Sequence, residues 1–131
     1  MLLLRVPTDL NLKTRAKKFR IKRGYYIYVG SALSNLRARL QRHERRQKRL
    51  FWHIDFLLEK SELILAVALL ESRRLEDRVA SLCNGEPVAG FGASDSPLST
   101  HLFRYPCLHK AFSEAFRVIE EARGPIEQEG A

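Results

Sequence analysis

The sequence contains little cysteine, and neither of its two cysteines, Cys83 and Cys107, belongs to a C-x-x-C pair. This spacing argues against a disulfide framework and a structural zinc site, and it fits a reducing, intracellular setting. Long hydrophobic runs are also missing, because the longest uncharged apolar run, 63–70, is far shorter than a membrane span. The apolar start, MLLLRV, is too short for a signal peptide and has no cleavage site after it. We therefore expect a cytoplasmic protein without a membrane segment.

Acidic residues are scarce in the first third of the chain. Residues 1–49 contain 15 Lys and Arg against two Asp and Glu, whereas residues 50–131 contain 8 against 13. The segments 13–23 and 37–49 hold seven bases each and together only one acid. Such asymmetry favours a polyanionic partner, nucleic acid above all. The alternatives are a solvated basic face that only keeps the protein soluble, a membrane-surface protein and a ribosome-associated protein.

The remaining patterns predict one mixed α/β domain over residues 1–123 and a loose tail at 124–131. The strongest strand signal is 24–29, where alternation places Tyr26 and Tyr28 on one face. Further strands are expected at 2–6, at 63–70 with both faces buried, and at 101–105, with a loop or hairpin at 7–20. Helices are expected at 34–48, at 51–60, after a cap at Ser72, and at 109–122 with Phe112, Phe116 and Ile119 inward.

The strand at 24–29 and the helix predicted after it carry side chains suited to phosphodiester hydrolysis. That reaction needs a group that positions or deprotonates water, a cation that meets the charge developing on the phosphate, and usually a carboxylate that holds a metal ion. Tyr28 ends the strand, and the planar fork of Arg39 on the next helix suits pairs of phosphate oxygens. His43 lies four residues after Arg39 and so shares its side of that helix. Taken singly, these are a sheet tyrosine, a helical arginine and a surface histidine.

Together, these residues resemble the second half of the GIY-YIG motif of repair and homing endonucleases. The matching residues are Tyr28, Val29, Gly30, Ser31, Ala32, Asn35, Leu36, Arg39 and His43. A closer resemblance is to a small, mainly archaeal branch of that superfamily, which has four ordered motifs. In this chain the motifs are GYYIYVGSA (24–32), WHIDFLL (52–58), GFGASD (90–95) and THLF (100–103).

The resemblance implies an α/β (α+β) fold of GIY-YIG type, with a three-stranded antiparallel central sheet flanked by helices. It also implies a metal-dependent endonuclease that uses Mg²⁺ or Mn²⁺. In the roles that the family assigns, Tyr28 would orient or activate the water, Arg39 would stabilise the developing charge, His43 would carry a proton and Glu76 would bind the metal.

Glu76 is chosen because the family's metal-binding glutamate lies on the helix after the third strand, and Glu71 is the alternative. Asp77 stands where the branch usually has a cysteine. No tyrosine precedes Tyr25, so the first half of the motif is missing and we expect a truncated first strand. The alternatives are a true start upstream and the loss of one catalytic group. Tyr25 lies on the same strand as Tyr28 and cannot be the first-strand tyrosine, and a partial substitution in space is the alternative left open.

The leading expectation is therefore a nuclease that acts on DNA, with RNA as the alternative nucleic acid. A catalytically weak or inactive nucleic-acid-binding module is the second possibility, and a protein-interaction or ribosome-associated factor is the third. The expected nucleic-acid-binding residues are Lys17, Lys18, Arg20, Lys22, Arg23, Arg37, Arg42, Arg45 and Arg46.

The remaining motif residues have structural interpretations. Gly90 and Gly92 permit a tight turn. Gly30, Ser31 and Asn35 form the turn of the motif. The residues His53, Asp55, Asp95 and His101 are interpreted as hydrogen-bonding groups that anchor loops rather than as metal ligands.

Overall fold

The computed structural model describes residues 1–14, 17–30, 53–67, 74–92 and 100–123. The expected helix at 34–48 and the tail at 124–131 lie outside these residues. In chain order, the described strands and helices are β1 (Leu2–Val6), β2 (Leu10–Lys13), β3 (Lys18–Ile21), β4 (Gly24–Tyr28), α1 (His53–Leu58), β5 (Glu62–Ala66), α2 (Arg74–Leu82), β6 (Glu86–Pro87), β7 (Leu102–Tyr105) and α3 (Leu108–Arg123). The predicted mixed α/β class is confirmed.

Five strands form one sheet in the order β5–β1–β4–β7–β6, and each neighbouring pair is antiparallel. The expected sheet of three strands was therefore too small. β5, β1 and β4 form an antiparallel group of three, and β7 and β6 extend the sheet beyond β4. Strand β6, Glu86–Pro87, was not predicted, because two residues are too few to show the alternation of apolar and polar side chains that indicates a strand. Its proline is tolerated because β6 lies at the edge of the sheet.

Strands β2 and β3 form a separate hairpin within the region that the sequence left as a loop or hairpin. Leu12 and Phe19 lie opposite each other in this hairpin, and both are buried against the main sheet. Its turn is closed by Thr14, whose N–H donates to the carbonyl of Lys17 at 2.9 Å. The alternate residues of β3 carry the positive charges outward, so the hairpin has one apolar face and one basic face.

The two faces of the sheet bury separate cores. On the hairpin face, Tyr26 and Tyr28 pack with the β2–β3 hairpin, α1 and Phe91. On the helix face, Ile27 packs with residues of α2 and α3. The predicted alternation of β4 is confirmed, since Tyr26, Ile27 and Tyr28 are 1%, 0% and 6% exposed and belong to alternating cores. Each such side chain contributes roughly 1.5–3 kcal/mol through burial of its apolar surface.

Strand β5 departs from the prediction in position and in burial. A strand at 63–70 with both faces buried was expected, but β5 is Glu62–Ala66, and Leu63 and Ile64 are 36% and 37% exposed. The reason is its place at the edge of the sheet, where β1 is its one neighbour among the described strands. An apolar run indicates burial on both faces only where layers cover both sides of the sheet.

The helices also correct details of the prediction. α1 spans His53–Leu58 and ends two residues before the expected end at 60, and residues 51 and 52 of the expected helix lie outside the described part of the chain. In α3, the expected inward residue Phe116 is 66% exposed, and Ala111, Ala115 and Val118 are buried instead. The buried stripe is shifted because small side chains allow a helix to lie close to a sheet, which residue size alone does not reveal. None of the described helices is long and apolar enough to cross a membrane.

Candidate functional site

Tyr28, the predicted catalytic tyrosine, ends β4 on the hairpin face. Its backbone lies between Leu2 of β1 and Leu102 of β7. Its ring packs edge-on against Phe91, with the ring centroids 6.0 Å apart and the planes at 82°. Close packing on these sides fixes the orientation of the ring, so the direction of the hydroxyl group is set by the fold.

Gly92 lies directly against the ring of Tyr28. A Cβ atom at Gly92 would lie 3.0 Å from Cε1 of Tyr28 and 3.3 Å from its hydroxyl oxygen. Gly92 also has φ +67°, a conformation that residues with a side chain rarely adopt. Glycine is therefore required here by contact and by conformation. Phe91 and Gly92 thus form one wall of the tyrosine site, a role beyond the tight turn that the sequence predicted.

His101 joins the strand that carries Tyr28 to helix α2. The carbonyl of His101 accepts a hydrogen bond from the N–H of Val29 at 2.9 Å, directly after Tyr28 in the chain. Its Nε2 atom lies 3.4 Å from Oδ1 of Asp77, in α2. Its N–H donates to the carbonyl of Phe91 at 2.9 Å. His101 is 2% exposed, and these contacts bring the end of β4, Phe91 and α2 together.

Glu76 lies in α2 directly before Asp77. α2 follows β5, the third strand of the group β5–β1–β4 in chain order. The helix that carries the predicted metal ligand therefore contacts His101, whose carbonyl accepts a hydrogen bond from the residue after Tyr28. Sequence reasoning noted Asp77 only as a departure from the family pattern.

Three of the other predicted site residues lie in the described part of the chain. His53 begins α1, Asp55 is buried in the first turn of α1, and Gly30 follows the end of β4. The predicted residues that lie outside the described part of the chain are Ser31, Asn35, Arg37, Arg39, Arg42, His43, Arg45, Arg46, Glu71 and Asp95.

The five predicted nucleic-acid-binding residues from 17 to 23 are all exposed on or next to the hairpin. Arg20 contacts two residues of the hairpin side, since it lies 3.6 Å from Asp9 and donates to Asn11 at 3.2 Å. Arg104 on β7 was missed by sequence reasoning, although it alternates with the buried residues Phe103 and Tyr105 and so faces away from their core. It lies opposite Tyr26 on β4 and adds a cation beside the hairpin.

The predicted metal ligand, Glu76, lies near the start of α2. Magnesium ions are commonly held by one or two protein carboxylates, with water and substrate phosphate as the other ligands. The side chain of the next residue, Asp77, is 44% exposed, so solvent reaches this part of α2. No group of three or more metal-ligating side chains occurs within the described ranges.

A different polar cluster is buried on the helix face, around Glu114 of α3. Its carboxylate accepts hydrogen bonds from the N–H of Asn84 at 2.6 Å, from the hydroxyl of Tyr105 at 2.9 Å and from Arg117 at 2.5 Å. Arg117 also donates to the carbonyl of Leu82 at 2.6 Å. The cluster therefore ties the end of α2 to β7 and α3. The i, i+3 spacing of Glu114 and Arg117 could have suggested an ion pair, but nothing in that spacing indicates burial.

Burial and hydrogen bonding shift the pKa values in this cluster in opposite directions. Burial alone would raise the pKa of Glu114, but the hydrogen bonds from Asn84, Arg117 and Tyr105 outweigh it and lower that pKa below its usual value. Burial, with Cys83 and Glu114 nearby, raises the pKa of the Tyr105 hydroxyl. Burial also raises the pKa of Cys83 to about 12. The Glu114 carboxylate is thus ionised and hydrogen-bonded within the protein, as is typical of a buried group that stabilises a fold.

These features define a mixed α/β domain built on an antiparallel sheet, with a basic hairpin on one face and two packed helices on the other. Residues 1–123 match the family described as Domain of unknown function DUF123, and the chain belongs to that family. No curated protein and no solved structure matches the chain.

Proposed function

We propose that the protein is a metal-dependent endonuclease of GIY-YIG type that hydrolyses phosphodiester bonds in DNA. The proposal starts from the ordered motif residues from Tyr28 to His43 and from the basic first third of the chain. The antiparallel group β5–β1–β4, followed by the helix that carries Glu76, is compatible with the three-stranded centre of that fold.

The observation that carries the proposal is the contact set of His101. Two of the four proposed catalytic residues, Tyr28 and Glu76, are far apart in the chain but lie on elements that meet at this histidine. One hydrogen bond joins His101 to the residue after Tyr28, and one polar contact of 3.4 Å joins it to the residue after Glu76. Hydrolysis requires the water-activating group and the metal-binding carboxylate to approach the same phosphate.

In this proposal, each residue performs one task. The hydroxyl of Tyr28 orients the attacking water or takes its proton, and its ring is held by Phe91 and Gly92. Arg39 meets the charge that develops on the phosphate oxygens. His43 receives or returns a proton. Glu76 would hold a magnesium or manganese ion, which would supply Lewis-acid stabilisation of the leaving oxygen.

A second candidate function, a nucleic-acid-binding module with weak or no catalysis, is favoured by the burial of Tyr28. Its side chain is only 6% exposed and belongs to the core of the hairpin face. A tyrosine in such a position contributes to stability even when it performs no chemistry. This candidate keeps the basic hairpin as its binding surface and predicts nucleic-acid binding that needs no metal and weakens steeply with salt.

A cleavage assay separates the two candidates. Fluorescent single-stranded, duplex, flap and branched DNA substrates are incubated with Mg²⁺ or Mn²⁺, and parallel reactions contain EDTA. The endonuclease should cleave at least one substrate only when metal is present. Arg39→Ala and Glu76→Gln should each lower the rate about 100-fold or more, as expected for removal of a group that stabilises the transition state. Glu120→Gln is the matched control, since it makes the same charge change on the exposed side of α3.

Tyr28→Phe tests the tyrosine without removing the ring from the core. It should lower the unfolding temperature much less than removal of the whole ring would, and it should lower the cleavage rate about 100-fold. Cleavage at the rate of the unsubstituted protein would show that the hydroxyl takes no part. Binding without cleavage of any substrate would favour the binding module.

A further inference from the structure

A cleft of about 270 Å³ lies between β3 of the hairpin and the edge of the main sheet at β6. Its walls differ in origin, because one comes from the hairpin and the other from β6, the residues after it and β7. Four cations line it, namely Lys18, Arg20, Lys22 and Arg104, and Glu86 is the one acidic residue among the described residues that line it. Its lining therefore carries an excess of positive charge.

The hairpin wall is a linear array of cations. Lys18, Arg20 and Lys22 are alternate residues in and just after β3, and all three are exposed, whereas Phe19 and Ile21 between them are buried. Alternate residues on a strand lie about 6.7 Å apart. A row of charges at this spacing suits an extended chain of phosphates better than one small anion.

The opposite wall holds its cation in place before any ligand binds. The Nε and Nη2 atoms of Arg104 donate to the carbonyl of Arg23 at 3.0 and 2.7 Å. Gly24 leaves room for this guanidinium, because a Cβ atom there would lie 2.8 Å from its Nε. The hydroxyl of Tyr26 similarly donates to the carbonyl of Lys22 at 2.5 Å. Cations positioned in advance lose less conformational entropy when they bind an anion.

Glu86 occupies the position that an anionic ligand would take. Its two carboxylate oxygens lie 3.7 Å from Nζ of Lys22 and 3.7 Å from Nη1 of Arg104. Both distances are too long for hydrogen bonds, and the Glu86 side chain is 56% exposed. Exposed ion pairs of this kind are weak, so a phosphate can displace Glu86 from both cations.

We propose that this cleft binds the phosphodiester backbone of a nucleic acid, with one phosphate between Lys22 and Arg104 in place of Glu86. The proposal rests on the proposed function, because it names where a part of the substrate away from the scissile phosphate is held. Tyr26 lines the cleft and Tyr28 lies two residues further along the same strand, so the cleft and the tyrosine site lie on one face of the sheet. The bound strand runs along β3 and on towards the end of β4.

Glu86→Gln gives the sharpest test, because it should improve binding. Affinity is measured by fluorescence anisotropy with labelled single-stranded DNA, RNA of the same sequence and duplex DNA, in EDTA and between roughly 50 and 200 mM salt. The variant should bind about threefold to fivefold more tightly. Glu120→Gln makes the same change in net charge far from the cleft and should alter affinity much less. Equal affinity for DNA and RNA would indicate that the backbone alone is recognised, and a preference would identify the source of the phosphates.

Lys22→Gln should have the opposite effect. It should weaken binding about threefold to fivefold and make the slope of log affinity against log salt shallower by about one, as expected for one lost phosphate contact. Lys110→Gln, an exposed lysine of α3, is the matched control. Thermal melting verifies that each variant is folded.

Different results would overturn the proposed binding cleft and the proposed endonuclease activity. Unchanged affinity in both Glu86→Gln and Lys22→Gln, or equal changes in their controls, overturns the cleft even if Arg39→Ala abolishes cleavage. Altered affinity in the two cleft variants, with no metal-dependent cleavage of any substrate, keeps the cleft and overturns the endonuclease. An absence of nucleic-acid binding at low salt overturns both.

Discussion

Charged side chains are buried and hydrogen-bonded on one face of the sheet and exposed on the other. On the helix face, the carboxylate of Glu114 is buried and accepts hydrogen bonds from three residues. On the hairpin face, the cations of β3 stand exposed around a cleft in which Glu86 forms only long contacts. Both faces contain ion pairs, but the pairs differ in burial and in how completely their hydrogen-bonding capacity is used.

This difference separates a structural charge from a binding charge. A buried carboxylate whose partners are all inside the protein stabilises the fold only as long as each partner remains. An exposed cation that lacks a close partner costs little to leave in water and is available to an external anion. Removal of the buried charge of Glu114 should therefore change stability, whereas removal of an exposed charge of the cleft should change nucleic-acid binding.

The largest effect is expected from Glu114→Gln. Loss of the charge weakens three hydrogen bonds in a buried site, and the free energy of unfolding should fall by about 2–3 kcal/mol. Denaturant unfolding at neutral pH measures this change. Glu120→Gln, on the exposed side of the same helix, should change it by less than about 0.5 kcal/mol. Nucleic-acid affinity, measured where the variant is still folded, should not change.

The effect of Glu114 should also depend on pH. The pKa of Glu114 in the folded protein lies below its unfolded value of 4.5, so its stabilising contribution is complete above pH 4.5 and is lost as the pH falls through the folded pKa. The stability difference between the unsubstituted protein and Glu114→Gln should therefore shrink in acid. A difference that stays constant from neutral pH into acid would contradict this account.

Gly92→Ala should produce the next largest effect, and it tests the hairpin face. An alanine at φ +67° costs about 1–2 kcal/mol, and its Cβ would also push against the ring of Tyr28. A displaced tyrosine should lower the cleavage rate about tenfold or more. Gly90→Ala is the matched control, because Gly90 has φ +77° but its close neighbour is Nζ of Lys17. Both variants should lose stability, and only Gly92→Ala should lose most of its cleavage activity.

A smaller effect is expected from Asp77→Ala, which removes the contact between α2 and His101. Because Asp77 is half-exposed, the free energy of unfolding should fall by about 0.5 kcal/mol or less. The cleavage rate should fall about fivefold, since α2 would hold Glu76 less firmly. Asp77→Asn keeps an oxygen that can face His101 and should retain more activity than Asp77→Ala. Equal activity in the two variants would argue against a positioning role.

The smallest effect concerns the two thiols. Cys107 is exposed, whereas Cys83 is buried and its pKa is raised to about 12. A thiol reagent at pH 8 should therefore modify Cys107 quickly and Cys83 only on unfolding, because the thiolate is the reactive form. Glu114→Gln should make Cys83 react sooner, since the cluster that holds the end of α2 is weakened. Fast reaction of both thiols in the folded protein would show that the helix face is less closed than the structure indicates.

The sequence predicted well those features that depend on local pattern. The alternation of β4 correctly assigned Tyr26 and Ile27 to opposite faces, because strand periodicity is a local property. It predicted poorly what depends on neighbours in space. The exposure of Leu63 follows from the edge position of β5, and the burial of Ala115 in place of Phe116 follows from how closely α3 lies on the sheet.

The candidate site shows the same limit. Tyr28 and Glu76 were selected from the resemblance, but no local signal joins Asp77 to His101 or Glu86 to Lys22, because each pair is distant in sequence. Gly92 was predicted as a turn residue, and its contact with Tyr28 depends on the three-dimensional fold alone. Residue types therefore indicated the chemistry, whereas the contacts that position those residues required the fold.

The strand order has a consequence for synthesis of the chain. β4 lies between β1 and β7, and Tyr28 on β4 is paired with Leu2 and with Leu102. The first partner is made before β4, but the second leaves the ribosome only after 74 more residues, which takes roughly 4–15 s at typical rates of translation. Throughout that interval, one edge of β4 has unpaired backbone groups. The nascent chain thus carries an open strand edge next to its most basic segment, where it is exposed to mispairing until β7 closes it.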